Sequence, residues 1–232
     1  MNPLRRLTRI SWSIAAVLWG AAAIGGWAWT TRYEYATHPD NNLGSPMQWP
    51  NVTSLVLAEN RPTLLFFIHS RCPCTRASVH ELERVLIGAG LTEQQLPKLI
   101  VVASLPPNAS NEWRDTDTLR QASTLPRAER YWDVGGTESS RFGATTSGAV
   151  KLYRQDGKLM FSGGVTASRG HEGDSAGGDH LYAILSLRSP ATEESTPVFG
   201  CRLFVESSTT DCSEASLAGK AGVSAVIEGA TP

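Results

Sequence analysis

Hydrophobic and polar positions fall into distinct patterns along this chain, and each predicts an element. The first is an uncharged, apolar-rich stretch from Ile10 to Trp29, preceded by Arg5, Arg6 and Arg9. It has about the length that crosses the hydrocarbon core of a bilayer. From Thr63 to Ile68 the run is continuously apolar, as expected of a strand buried on both faces. Val79, Leu82, Val85, Leu86 and Ala89 then share one face of a helix that Gly88 and Gly90 end. Leu99 to Ala103 predicts a second strand, closed by Pro106-Pro107, and Glu112 to Ala122 a second helix limited by Pro126. Tyr131-Trp132-Asp133 reads as a short edge segment before a helix near Glu138 to Phe142. Ala149 to Tyr153 and Leu159 to Ser162 flank Gln155-Asp156-Gly157-Lys158, a hairpin signal. A glycine-rich loop from Gly163 to Gly178 leads into a last helix carrying Leu181, Ile184 and Leu185. The succession predicts an α/β domain with a mixed central sheet covered by helices.

The boundaries follow from the same patterning: a basic segment at 1–9, an apolar anchor at 10–29, a linker rich in Pro, Asn and Gly at 30–60, the α/β domain at 61–204, and a disordered tail at 205–232. The arginines before the anchor are expected to stay in the cytoplasm and send the rest of the chain outward. Trp27, Trp29 and Tyr33 would then sit at the far interface. This describes a single-pass protein of the inner membrane with its C-terminal domain outside the cytoplasm, in contact with the lipid bilayer through residues 10–29. A cleavable signal peptide is the competing reading, permitted by Ala21 to Ala23 but lacking a clean site at the end of the apolar run.

Composition changes this picture little. Hydrophobic residues make up 41% and charged residues 19% of the 232, with a formal net charge of -1. No basic patch with interleaved aromatics follows the first ten residues, so no nucleic-acid partner is expected. Four cysteines, at 72, 74, 201 and 212, would face an oxidising compartment, where disulfides persist.

The candidate chemistry lies at Cys72-Pro73-Cys74, between the first strand and its helix. Proline suits the first position of a helix, which places Cys72 at the N-cap and Cys74 in the first turn. The helix N-terminus favours a thiolate, and Arg71 would add a full positive charge beside it. Cys72 is thus expected to be an exposed nucleophile of lowered pKa. A disulfide between neighbours two apart closes a tight ring and is easily reduced, which suggests exchange chemistry. In that scheme Cys72 attacks a substrate disulfide and Cys74 resolves the mixed intermediate, with no cofactor required.

The segment Phe66-Phe67-Ile68-His69-Ser70-Arg71-Cys72-Pro73-Cys74, followed by an amphipathic helix, resembles the active-site segment of the thioredoxin-like superfamily. Phe142-Gly143-Ala144 and Leu152-Tyr153 through Asp156-Gly157 resemble its second signature, a loop and hairpin facing the cysteines. Gly163 to His171 and Pro197-Val198-Phe199-Gly200-Cys201 look like the RedB-type thioredoxin-like proteins. The resemblance implies a thioredoxin-like mixed sheet and thiol–disulfide exchange with a protein or small-thiol disulfide. The sequence departs from that family in having Cys-x-Cys in place of Cys-x-x-Cys, Gly148 where a cis-proline is usual, and Leu65 where a buried acid is common. Aligned on Pro73, Arg71 falls at the usual nucleophile.

Other candidates carry alternatives. His69 can serve as a base, a metal ligand or a strand cap, whereas His80 is expected to be merely solvated. Arg169 and His171, in the glycine-rich loop with Glu172, Asp174, Asp179 and His180, can frame a substrate or belong to a flexible loop capped by Asp174 or Ser175. Cys201 reads as a structural partner of Cys212, or as a third member of the redox site. The alternative function is a copper-handling module that binds through Cys72, Cys74 and His69. Peroxidase chemistry is weaker, because His69 stands where a threonine is expected, and a non-catalytic binding scaffold would leave two cysteines without a use.

Overall fold

Strand β1 (Thr63–His69) is buried everywhere except at His69. Its alternate residues feed two different cores. Leu64, Phe66 and Ile68 belong to one, Leu65 and Phe67 to the other. A strand flanked by two cores has no polar face, and this is why its sequence lacks alternation. The computed structural model describes residues 3–37, 44–187 and 195–203. The predicted tail and Cys212 lie outside the described residues.

Strand β2 (Lys98–Leu105) pairs with β1 in parallel, and β3 (Ala128–Val134) pairs with β2 in parallel. Strands β4 (Ala149–Tyr153) and β5 (Leu159–Gly163) form an antiparallel hairpin whose first strand runs antiparallel to β1. The sheet order is β3-β2-β1-β4-β5, so the strand leading to the cysteines is central. Gly157, at φ +82°, supplies the left-handed residue that the hairpin turn requires.

One face of the sheet carries the helix that follows β1 (Thr75–Gly88), the helix Asp117–Ser123 and the last helix (Ala176–Leu185). These are α2, α4 and α6 in chain order. The predicted face of α2 is buried at Val79, Leu82, Val85 and Leu86, each contributing roughly 1.5–3 kcal/mol of apolar burial. The other face is covered by α5 (Thr137–Arg141) and by two irregular segments. The first, from residue 44, lays Trp49 edge-on against Phe142 at 5.0 Å and Tyr153 at 5.2 Å. The second, 195–203, buries Val198 and Leu203. This mixed sheet between helical layers is the thioredoxin-like arrangement.

The single helix expected over Glu112 to Ala122 is divided into α3 (Asn111–Arg114) and α4. Asp115 leaves helical geometry, and the Thr116 hydroxyl accepts the Leu119 N–H to start the new helix. The segment at Tyr131-Trp132-Asp133 extends into the full edge strand β3.

The N-terminal helix α1 runs from Pro3 to Glu34, past both ends of the expected anchor. Its portion Trp12–Glu34 has mean hydropathy 1.2, long and apolar enough to cross a bilayer. Trp12, Trp19, Trp27 and Trp29 are all exposed along it, with no protein covering them among the described residues.

Candidate active site

The polypeptide leaves β1 at His69 and turns sharply before α2. The Cys72 N–H donates to the His69 carbonyl at 3.0 Å, and Thr75 N–H to the Cys72 carbonyl at 3.3 Å. Such one-to-four bonds make a turn tighter than an α-helix. The helix therefore begins at Thr75 with Cys74 at the N-cap, later than the expected Cys72.

The accessibility of the two cysteines differs from the sequence expectation. Cys72 is fully buried, whereas Cys74 and Cys201 are half-buried. The Cys72 sulfur accepts the Cys201 backbone N–H at 3.3 Å. The Cys201 thiol and the Thr75 hydroxyl also stabilise its charged form. Burial pushes its pKa up, but these donors, led by the Cys201 thiol, outweigh burial and leave the thiol below its ordinary value. Cys74 is pushed up, first by burial and then by the neighbouring Cys72, with Arg169 pulling it partly back. Burial and the contact with Cys72 push Cys201 up to about 12. Of the three thiols Cys72 is thus the first to ionise.

Cys201 reaches this place on the segment 195–203, which runs along the sheet's β5 edge and then antiparallel to residues 145–147. Thr196 N–H donates to the Ser162 carbonyl at 3.2 Å, Ser147 N–H to the Cys201 carbonyl at 2.8 Å, and Leu203 N–H to the Thr145 carbonyl at 2.8 Å. Gly200 is required at the crossing, because a Cβ there would collide with the Ser147 carbonyl. Gly148, at φ +98°, donates its N–H to the Phe67 carbonyl at 2.9 Å and lies against the first turns of α2, where a Cβ would meet the Ser78 hydroxyl at 2.9 Å.

Arg71 does not serve the cysteines as expected. Its guanidinium stacks over Trp113 at 4.3 Å and pairs with Glu112 at 3.1 Å. The cation that acts on Cys74 is Arg169, whose guanidinium also lies 5.3 Å from the Tyr33 ring. Its backbone N–H donates to the Glu34 carbonyl at 3.1 Å, so the last turn of α1 abuts the site. Tyr35 packs edge-on against Phe199 at 6.5 Å, two residues before Cys201.

His69 sets its ring edge-on to Trp113 at 5.4 Å, and its Nδ1 accepts the Arg71 N–H at 3.2 Å. Burial lowers its pKa, with Arg71 adding to that effect and a backbone hydrogen bond opposing it. Among the described residues no group of three or more His, Cys, Asp or Glu side chains is arranged to hold a metal, so the copper reading gains no third ligand from His69.

The glycine-rich loop is fastened to α2. The buried Glu81 carboxylate accepts the Gly173 N–H at 2.7 Å, Arg84 pairs with Asp174 at 3.2 Å, and His80 hydrogen-bonds Glu172 at 2.8 Å. His80 is therefore a tether rather than a solvated bystander. Gly170 packs over Cys74, and a Cβ there would stand 3.9 Å from the Cys74 Cα. Ser175 is the cap of α6, accepting the Gly178 N–H at 3.0 Å. His171, by contrast, is exposed. Sequence reasoning missed Thr75 and Ser147, buried hydroxyls beside Cys72 that belong to no recognisable motif.

Compared with known proteins, the chain matches no family profile and no curated protein. Solved structures do resemble it. An uncharacterised conserved protein from Geobacillus kaustophilus has 20% identity and a TM-score of 0.47, with 62% of this chain and 77% of the other covered. A hypothetical protein from Sinorhizobium meliloti 1021 has 20% identity and a TM-score of 0.47 over 63% and 81%. A secreted disulfide oxidoreductase of Mycobacterium tuberculosis, homologous to DsbE of E. coli, has 16% identity and a TM-score of 0.36 over 56% and 83%.

Proposed function

We propose that this chain is a membrane-anchored thiol–disulfide oxidoreductase of the thioredoxin-like, RedB type, working outside the cytoplasm through Cys72-Pro73-Cys74. The observation that carries this reading is the buried Cys72 sulfur, which accepts hydrogen bonds from Cys201 and Thr75 beside a half-exposed Cys74. A sulfur so surrounded is stabilised as thiolate, the reactive form.

Burial reverses the roles that spacing alone suggests. Cys74 meets the substrate, and its proton passes to the Cys72 thiolate along the hydrogen bond between them. The Cys74 thiolate attacks one sulfur of the substrate disulfide, whose other sulfur leaves as a thiolate. Cys72 then attacks the Cys74 sulfur, giving its proton to the second departing substrate sulfur. A Cys72–Cys74 disulfide forms; two electrons and one proton have moved to the substrate, whose first thiolate takes its own proton from water. Run backwards, the same steps oxidise a dithiol. Arg169 stabilises the transient charge on Cys74. In this reading α1 is the anchor, with Arg5, Arg6 and Arg9 in the cytoplasm and the domain on the opposite side of the inner membrane.

The test is a redox titration of the full chain in membranes against glutathione buffers, with free thiols counted by mass tagging. Two thiols are expected to disappear together at a defined potential, and Cys72→Ser is expected to abolish the transition. Cysteines that stay reduced at every ratio would rule the function out. Labelling with a membrane-impermeant maleimide on intact cells tests the orientation.

A further inference from the structure

We propose that Cys201 is the final resolving thiol of this centre, so that the stable oxidised form carries a Cys72–Cys201 disulfide and leaves Cys74 free. This deepens the exchange reading and rests on it. Three observations on the backbone carry the inference. The Cys201 N–H points at the Cys72 sulfur at 3.3 Å, and the Cys201 thiol is hydrogen-bonded to the same sulfur. The chain around Cys201 is held on both sides, by Ser147 N–H to the Cys201 carbonyl and Leu203 N–H to the Thr145 carbonyl, each at 2.8 Å. Gly200 brings the segment closer to Ser147 than any residue with a Cβ allows. A cysteine merely lodged in the core needs none of this fixation over another sulfur.

The chemistry follows from the two available rings. A Cys72–Cys74 bond must close across one proline, at the tight start of a helix, and strain in so small a ring favours its opening. Cys201 approaches the same Cys72 sulfur from a separate strand-like segment. After substrate exchange has made the Cys72–Cys74 disulfide, the Cys201 sulfur attacks Cys72. The Cys72–Cys74 bond breaks, Cys74 leaves as thiolate, and the proton lost by Cys201 passes to it. One disulfide replaces another, with no net change in electrons. Cys74 is then a free thiol again while the oxidising equivalent is stored below the surface. Until that step Cys201 stays protonated, held so by burial and by its contact with Cys72, and does not compete for substrate.

The test maps disulfides in the full chain, purified in detergent and equilibrated with mixtures of reduced and oxidised glutathione, then acid-quenched, alkylated, digested and analysed by mass spectrometry. The expected dominant oxidised species joins the Cys72 and Cys201 peptides and carries the alkyl label on Cys74. A Cys74→Ser variant is expected still to form the Cys72–Cys201 bond. In Cys201→Ser the only pair is expected to be Cys72–Cys74, with its equilibrium constant against glutathione shifted at least tenfold toward the reduced form, about 30 mV for a two-electron couple. A wild-type protein that exchanges through Cys72–Cys74 with Cys201 alkylated at every ratio overturns this inference and leaves the exchange reading intact. So does a bond from Cys201 to Cys212. If no pair forms at any ratio, the exchange reading itself fails, and the inference with it.

Discussion

Ser147 and Thr75 share a buried hydrogen bond, hydroxyl to hydroxyl at 2.6 Å. Ser147 also accepts the His69 N–H at 2.7 Å, and Thr75 hydrogen-bonds the Cys72 sulfur. With the Thr75 proton directed at sulfur, Ser147 donates to Thr75, and a chain of donors runs from the end of β1 to Cys72. Thr75→Val keeps the shape and removes one donor to the thiolate. It is expected to move the Cys72 titration, followed by ultraviolet thiolate absorbance, to higher pH. An unchanged titration would show that Thr75 contributes nothing to the thiolate.

Ser147→Ala removes the hydroxyl that accepts the His69 N–H. Loss of one such hydrogen bond costs about 0.5–1.5 kcal/mol. The denaturant midpoint should fall accordingly, and the Cys72 titration should move in the same direction as for Thr75→Val. Stability equal to the wild type would mean that another acceptor takes over the His69 N–H.

Arg169→Ala removes the cation that lowers the Cys74 pKa, so Cys74 should react several-fold more slowly with a neutral alkylating reagent near neutral pH. Arg169→Lys should restore part of the rate. Equal rates in all three proteins would assign Arg169 to the contact with α1 alone.

Lys151 is buried on β4, where its ammonium donates to Ser162 at 3.0 Å and to Ser45. Burial depresses its pKa from 10.5 to about 7. Between those values the unfolded chain binds more protons than the folded one, so stability rises with pH; below about 7 both states are protonated and the full penalty remains. Relative to Lys151→Met, the wild type should gain about 1.4 kcal/mol per pH unit inside that window, read from denaturation at several pH values. Parallel pH profiles for the two proteins would refute the burial effect.

A Cys72–Cys201 bond spans 129 positions along the chain. Closing a loop of that size removes entropy from the unfolded state worth up to about 5 kcal/mol. The oxidised protein should therefore melt well above the reduced one, whereas a Cys72–Cys74 bond would change the melting temperature little. Gly200→Ala, which displaces the crossing segment from Ser147, should erase the difference.

What could be read from the sequence was local. Continuous burial of β1, the face of α2 and the hairpin turn each follow from neighbours in the chain, and so does the placing of two cysteines at a strand–helix junction. Contacts set by the topology were not legible. Arg71 adjoins Cys72 in sequence, yet the Trp113 ring and the Glu112 carboxylate claim its charge, because the break at Asp115 presents α3 to the site. Arg169 and His171 occupy the same glycine-rich loop and gave the same signal, but only Arg169 acts on Cys74. Thr75 and Ser147 were invisible because a hydroxyl has no periodicity. The meeting of Cys201 with Cys72 depends on where the chain returns after α6, so the sequence offered it only as an alternative to a pairing with Cys212 and held nothing to choose between them.

The antiparallel seating of 195–203 beside 145–147 also imposes an order in time. Synthesis proceeds from Cys72 toward Cys201, so for most of the chain's assembly Cys72 lacks two of its donors and behaves as an ordinary thiol. It acquires thiolate character only when the segment 195–203 docks. Reactivity is thereby a signal of completion: a chain cut short before Gly200 has the motif but not the activated sulfur.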